Sequence, residues 1–307
     1  MSHSAPPPGD PVPAPAFDPH PPPGSAPALP LHPPSASRVP GDDWPPWTAP
    51  AALVSGLVLA AFGSLLVDIP AALLGVNINP PNLPPGLEIA DTVVQDIGFV
   101  AAAVIFAQMG GRTVRVWQFG LSPTRLWPAV RLVVLLLLSF LVLSVAWGAL
   151  VDVKPEKILD QLGANRNALL LVLSAALTTV VAPISEELLF RGFIFSALRN
   201  LRGPLPAAVL TGVLFGAIHY GSAPALDLIP LAVLGFGLCL LYWRTRSLYP
   251  CIAAHCVNNC IAFGALMHWG WQIPVLMLAA LGTIALLALV VQAAAAPPAA
   301  SAVTPDA

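Results

Sequence analysis

Residues 132–151 read LVVLLLLSFLVLSVAWGALV, twenty consecutive positions without a charged side chain. As a helix, such a stretch rises about 30 Å, the thickness of the hydrocarbon core of a bilayer, so it reads as a membrane span. The neighbouring sequence repeats the pattern. Ala49–Val67 carries no charge, and Gln272–Val291 is equally apolar. Glu88–Met109 is a weaker span, because Asp91 and Asp96 stand in its first half. Asn167–Arg199 exceeds one span and holds Pro183, Glu186 and Glu187, which predicts a kinked or broken helix. Pro204–Tyr220, Leu226–Trp243 and Leu248–Met267 complete a count of about eight passages. The stretch 70–87, with Pro70, Pro80, Pro81, Pro84 and Pro85, reads as a loop.

Composition supports the same class. Hydrophobic residues make up 57% of the 307 positions and charged residues 9%, against roughly 25% charged in a soluble domain. Mean hydropathy is +0.79. The expected fold is therefore an all-α, polytopic transmembrane helix bundle with a polar cavity inside it. A formal charge of -2 gives no footing for nucleic-acid binding, which requires a basic surface. Cys239, Cys251, Cys256 and Cys260 all lie in or beside apolar segments, where cysteine commonly serves as a small hydrophobe.

Five regions follow. Residues 1–48 form a proline-rich tail, since half of the 36 prolines fall in the first fifty positions. That density opposes regular helix and predicts disorder or polyproline II, with adaptor binding as one use. The tail is not a signal peptide, since no apolar stretch opens before about Ala49. Trp44 and Trp47 sit where an interfacial anchor belongs. Residues 49–128 hold two spans and a basic connection, 129–270 a core, 271–292 a last span and 293–307 a tail. A polar, charge-balanced segment, Asp152–Arg166, predicts an interfacial helix. Arg112, Arg115, Arg125 and Arg131 cluster in and around one connection, while Arg191, Arg199 and Arg202 end the fourth passage. Arg244 and Arg246 end the sixth. The positive-inside rule then places these connections, and both termini, on the cytoplasmic side.

Ionisable groups at membrane depth are expensive and usually functional. Three sets stand out. In Ser185-Glu186-Glu187-Leu188-Leu189-Phe190-Arg191, Glu187 and Arg191 are four apart and stack on one helical face, whereas Glu186 points elsewhere. Phe215 and His219 share a face, as do His255 and Asn259. Taken singly, these are an ion pair at a helix border, a core histidine and a packing contact. If they converge, they form a hydrolytic constellation. A glutamate beside a histidine holds and deprotonates water, and a histidine with an amide donates to the oxyanion that follows. No serine or cysteine occupies a nucleophile motif. His268, beside Trp269 and Trp271, reads as a border residue.

These three sets, in this order, resemble the motifs of the CAAX-protease and bacteriocin-processing (CPBP/Abi) family of intramembrane glutamic proteases, which includes the eukaryotic prenyl-protein endopeptidase. The family's Glu-Glu-x-x-x-Arg, Phe-x-x-x-His and His-x-x-x-Asn motifs are matched by Glu186, Glu187 and Arg191, by Phe215 and His219, and by His255 and Asn259. The resemblance spans about residues 130–270. It implies an endopeptidase acting on membrane-associated or lipidated peptides and proteins. In that reading Glu186 and His219 activate water, His255 and Asn259 hold the oxyanion, Glu187 and Arg191 orient the site, and Phe215 lines the substrate cavity. No cofactor is expected. One carboxylate and two histidines would in principle hold zinc, yet His-Glu-x-x-His is missing and a glutamate base needs no metal. The Gly/Pro/Ala-rich composition and short loops point to a bacterial cytoplasmic membrane. Two rivals remain at this level: a silent scaffold or immunity factor of the same fold, and a proton-coupled transporter, for which the repeats expected of transporters are missing.

Overall fold

The computed structural model describes residues 40–41, 43–79, 83–151 and 158–295. The proline-rich tail before Pro40, any adaptor site on it, and the end of the chain from residue 296 lie outside the described residues. Among the described residues nine α-helices follow one another: α1 Thr48–Leu73, α2 Pro85–Ala107, α3 Leu126–Leu150, a single turn α4 Ile158–Gln161, α5 Ala168–Arg202, α6 Pro204–Ala217, α7 Leu228–Thr245, α8 Tyr249–Leu266 and α9 Gln272–Ala295. The chain is an all-α membrane helix bundle.

Six of the described helices are long and apolar enough to cross a membrane, rather than the eight expected: α1, α2, α3, α5, α9 and the stretch Ala225–Thr245 that contains α7. The 14 residues of α6 rise only about 21 Å, short of the roughly 30 Å core. In α8, His255, Asn258 and Asn259 interrupt the apolar run. Only α4 and a following turn represent the predicted interfacial helix of 152–166, whose first six residues are outside the described set. Part of the 70–87 loop is helical, because α1 runs through Pro70 to Leu73 and α2 opens at Pro85. A proline lacks only a donor, so it is tolerated at a helix start, where that donor has no partner in any case.

The long fourth segment is not broken. Asn167 caps it, accepting the Leu170 amide at 2.9 Å, and α5 then runs for 35 residues. Pro183 is accommodated because the turn before it, Leu177–Val181, is π-helical, and a second π-helical stretch covers Leu188–Phe195. Such insertions inside α-helices concentrate at functional sites. Phe190, Phe193, Ile194 and Phe195 are all fully buried, so α5 is the hub of the bundle. The helix ends at Gly203, whose φ of 86° suits glycine.

Two antiparallel hairpins pack against this hub. In α1–α2, Gly98 lies against the backbone of Gly56 and Ala60. In α6–α7, Gly212 lies against the backbone of Ala232 and Phe236. Small residues let helix backbones approach closely in this way. Large apolar side chains such as Leu66, Leu138, Val142 and Leu289 are exposed on the outside, facing where lipid would lie.

The two ends of the bundle differ. At one end, the Leu248 amide donates to Gly120 O at 2.7 Å and the Ser247 hydroxyl to Ser122 O at 2.7 Å. Asn200 Nδ2 donates to Gly41 O and Trp44 O, at 2.9 and 3.0 Å. Trp44 is therefore no interfacial anchor: it is buried between Phe119 and Phe193, with ring centroids 5.1 and 4.8 Å away. Trp47 is exposed.

Candidate active site

The site grows from the middle of α5. Glu187 and Arg191, both without solvent exposure, meet at 2.6 Å. Burying an ion pair requires further hydrogen bonds around it, and neighbouring elements supply them. Arg191 Nη2 donates to Gly235 O of α7 at 3.0 Å, and its guanidinium lies 4.3 Å from the centroid of the Phe215 ring. On the other side, Glu187 Oε1 is 2.9 Å from His255 Nδ1 of α8. Glu187 thus joins an arginine of its own helix to a histidine 68 positions away.

That contact decides the state of the ring. A carboxylate only accepts, so Nδ1 of His255 carries a hydrogen and Nε2 faces Glu186, 3.8 Å from its Oε2. His219 is held differently. Its Nδ1 is 2.8 Å from the Phe215 carbonyl oxygen, another acceptor, so in the neutral ring Nε2 is the acceptor. Phe215 packs against both imidazoles, at centroid distances of 5.0 and 5.6 Å. One aromatic side chain therefore spaces the two histidines and covers the arginine.

Glu186, His219, His255 and Asn259 line one cavity of about 350 Å³. Thr92 and Gln95 of α2, Thr178 of α5 and Asn258 of α8 add polar groups to its wall, while Leu159, Leu162, Leu231, Leu234, Phe263 and Leu266 make the rest apolar. Asn259 Nδ2 donates to Thr178 O at 2.9 Å, and Asn259 Oδ1 accepts from Asn258 Nδ2 at 3.3 Å. Thr178 lies in the first π-helical turn. The fixed amide keeps a second N–H for another acceptor. Phe215, Glu187 and Arg191 stand behind this cavity rather than among its lining. His268 is also apart from it.

Sequence inspection finds Asp96 only as a charge in the second span and does not reveal its place beneath the site. Asp96 of α2 is buried and accepts the Ser185 hydroxyl at 2.5 Å, across 89 positions. Ser185 is the residue before Glu186, and its Oγ also lies 2.9 Å from Ala182 O. The signal was present as a charge in the middle of an apolar helix. Its partner was not, because no local spacing joins α2 to α5. Among the described residues, no group of three His, Cys, Asp or Glu side chains that could hold a metal ion is found. All four cysteines are buried as free thiols.

Two comparisons with known proteins find a likeness over this part of the chain. Residues 168–261 match the family described as type II CAAX prenyl endopeptidase Rce1-like. That interval holds all seven motif residues. YdiL of Bacillus subtilis (strain 168), a protein named as a candidate membrane peptidase, is 33% identical over 100 residues. The alignment takes in 31% of this chain and 40% of that relative, so the likeness is confined to the core. No solved structure matches the chain.

Proposed function

We propose that this chain, whose residues 168–261 match the family described as type II CAAX prenyl endopeptidase Rce1-like, hydrolyses peptide bonds of membrane-associated substrates. The observation that carries the reading is the shared cavity of Glu186, His219, His255 and Asn259, with two histidines held by chemically different partners. His219, bonded through Nδ1 to a carbonyl, presents an acceptor and works with Glu186 to hold and deprotonate water. The water oxygen attacks the peptide carbonyl carbon, and its proton passes to Glu186.

The oxyanion then needs donors. Asn259 offers the N–H that Thr178 does not take. His255 donates from Nε2 when its ring is doubly protonated, since Nδ1–H is engaged by Glu187. Collapse of the tetrahedral intermediate breaks the C–N bond, and the proton held by Glu186 moves to the leaving amine. Glu187 and Arg191 orient the ring without touching the reacting atoms. No metal is called upon in these steps.

The chain resides in a membrane, and we place it in a bacterial cytoplasmic membrane with both termini on the cytoplasmic side. The arginine-rich end of the bundle supports that orientation. The substrate is a peptide or protein in or on the bilayer. Protein reconstituted in liposomes, incubated with acyl-anchored peptide mixtures and read by mass spectrometry, tests the reading. Cleavage by wild type and its loss in Glu186→Gln support it; equal products from both would remove it.

A further inference from the structure

The cavity lies toward one end of the bundle, and the charges of the two ends identify which. Connections 112–124, 199–203 and 245–248 meet at one end, held by the Leu248–Gly120, Ser247–Ser122 and Thr124–Thr245 hydrogen bonds. That end carries Arg112, Arg115, Arg199, Arg202, Arg244 and Arg246. Each helix then leads away from it, and the connections at the far end are those that reach the cavity. Leu159 and Leu162 of the connection before α5, Tyr220 and Ser222 of the turn after α6, and Leu266 at the end of α8 all line it. Tyr220 and Ser222 are exposed, so the cavity opens there.

The charge at this far end is of the other kind. Asp68, Glu88, Asp91 and Asp227 lie near it, and in sequence the stretch 152–166 holds three basic and three acidic residues. Basic residues in short connections mark the cytoplasmic side, whereas acidic ones contribute little.

We propose that the cavity opens on the extracytoplasmic face, and that its substrates are peptide segments presented there: outer juxtamembrane stretches of membrane-anchored polypeptides. A lipid-modified C terminus on the cytoplasmic side would approach the arginine-bearing end, away from this mouth. The apolar wall of Leu159, Leu162, Leu231, Leu234, Phe263 and Leu266 suits a short extended segment with apolar side chains. Such a segment keeps its backbone polar groups near Gln95, Asn258 and Asn259. The inference rests on the hydrolytic reading for what the cavity does, but its sidedness is independent of any reaction.

Cysteine labelling separates the two. All four native cysteines are buried, so the wild-type chain serves as the blank. Ser222→Cys is placed at the mouth, Tyr220→Cys beside it guards against a folding defect in the first variant, and Thr113→Cys marks the arginine end. Each full-length variant is exposed to a membrane-impermeant maleimide in intact spheroplasts and in inverted vesicles. The expected result is labelling of Ser222→Cys and Tyr220→Cys in spheroplasts, and of Thr113→Cys only after inversion. Labelling of the two mouth variants only in inverted vesicles would overturn the proposal. So would a lack of reaction at both from either side while Thr113→Cys reacts. Neither result would bear on whether the site hydrolyses peptides.

Discussion

Replacing Arg191 with Met isolates what the buried ion pair contributes. Arg191 is fully buried, bonded to Glu187 at 2.6 Å and to Gly235 O at 3.0 Å. Methionine fills much of the volume and removes the charge, leaving the Glu187 carboxylate with His255 as its remaining close partner. Breaking a buried pair from one side typically costs about 3–5 kcal/mol, which is roughly a 10²- to 10⁴-fold change in the folding equilibrium. The stacking of the guanidinium on Phe215, 4.3 Å from the ring centroid, accounts for about 0.5–2 kcal/mol of that. Glu187→Leu combined with Arg191→Met removes both charges. Removing a whole pair is often close to neutral, though here His255 Nδ1 and Gly235 O lose partners, at about 1–3 kcal/mol each. The double variant should therefore unfold at a higher denaturant level than the sum of the two single losses implies. Reversible SDS titration followed by circular dichroism measures all four proteins. Strict additivity of the single losses would refute the argument, since it would mean that the two side chains do not stabilise one another.

Four further outcomes follow from the same contacts. Glu186→Gln should keep the fold, because Glu186 faces the cavity, and lower peptide hydrolysis by about 10²–10⁴-fold, read as turnover with matched thermal unfolding. Asn259→Ala should lower kcat by about 10²–10³-fold with a smaller change in KM, as removal of an oxyanion donor does; a loss confined to KM would contradict that role. Asp96→Asn keeps an acceptor for the Ser185 hydroxyl and should retain activity that Asp96→Ala loses, whereas equal loss in both would show that the charge itself is required. Gly212→Ala puts a Cβ 2.7 Å from the Ala232 carbonyl oxygen, forcing α6 from α7. Such overpacking costs about 1–3 kcal/mol, measured as a lowered unfolding midpoint, and moves the turn that carries His219.

What could be read without coordinates was whatever depends on local helical spacing. Glu187 with Arg191, Phe215 with His219 and His255 with Asn259 are each four apart, so a helix brings each pair together, and three such pairs in apolar surroundings made one cavity the economical expectation. Hydrophobic runs located the membrane helices within a few residues. The failures came where tertiary contacts decide. Asp96 looked like a flaw in a span, yet it is the partner of Ser185 from a helix outside the matched segment. Trp44 was placed at the membrane interface because it precedes an apolar run, but Phe119 and Phe193 enclose it. Pro183 suggested a break that π-helical backbone absorbs, and the same irregular turn positions the Thr178 carbonyl for Asn259. The count of spans fell from eight to six because α6 has only 14 residues and the apolar run of α8 is interrupted by His255, Asn258 and Asn259.

The most direct test of water-dependent peptide hydrolysis at Glu186 is a comparison of polypeptide termini in membranes from cells carrying wild type or Glu186→Gln at equal, folded abundance. The account predicts a defined set of new termini only with wild type, in membrane-anchored polypeptides, reproduced when those polypeptides meet the purified protein. Identical profiles with both proteins, in cells where the wild type is abundant and folded, would contradict it.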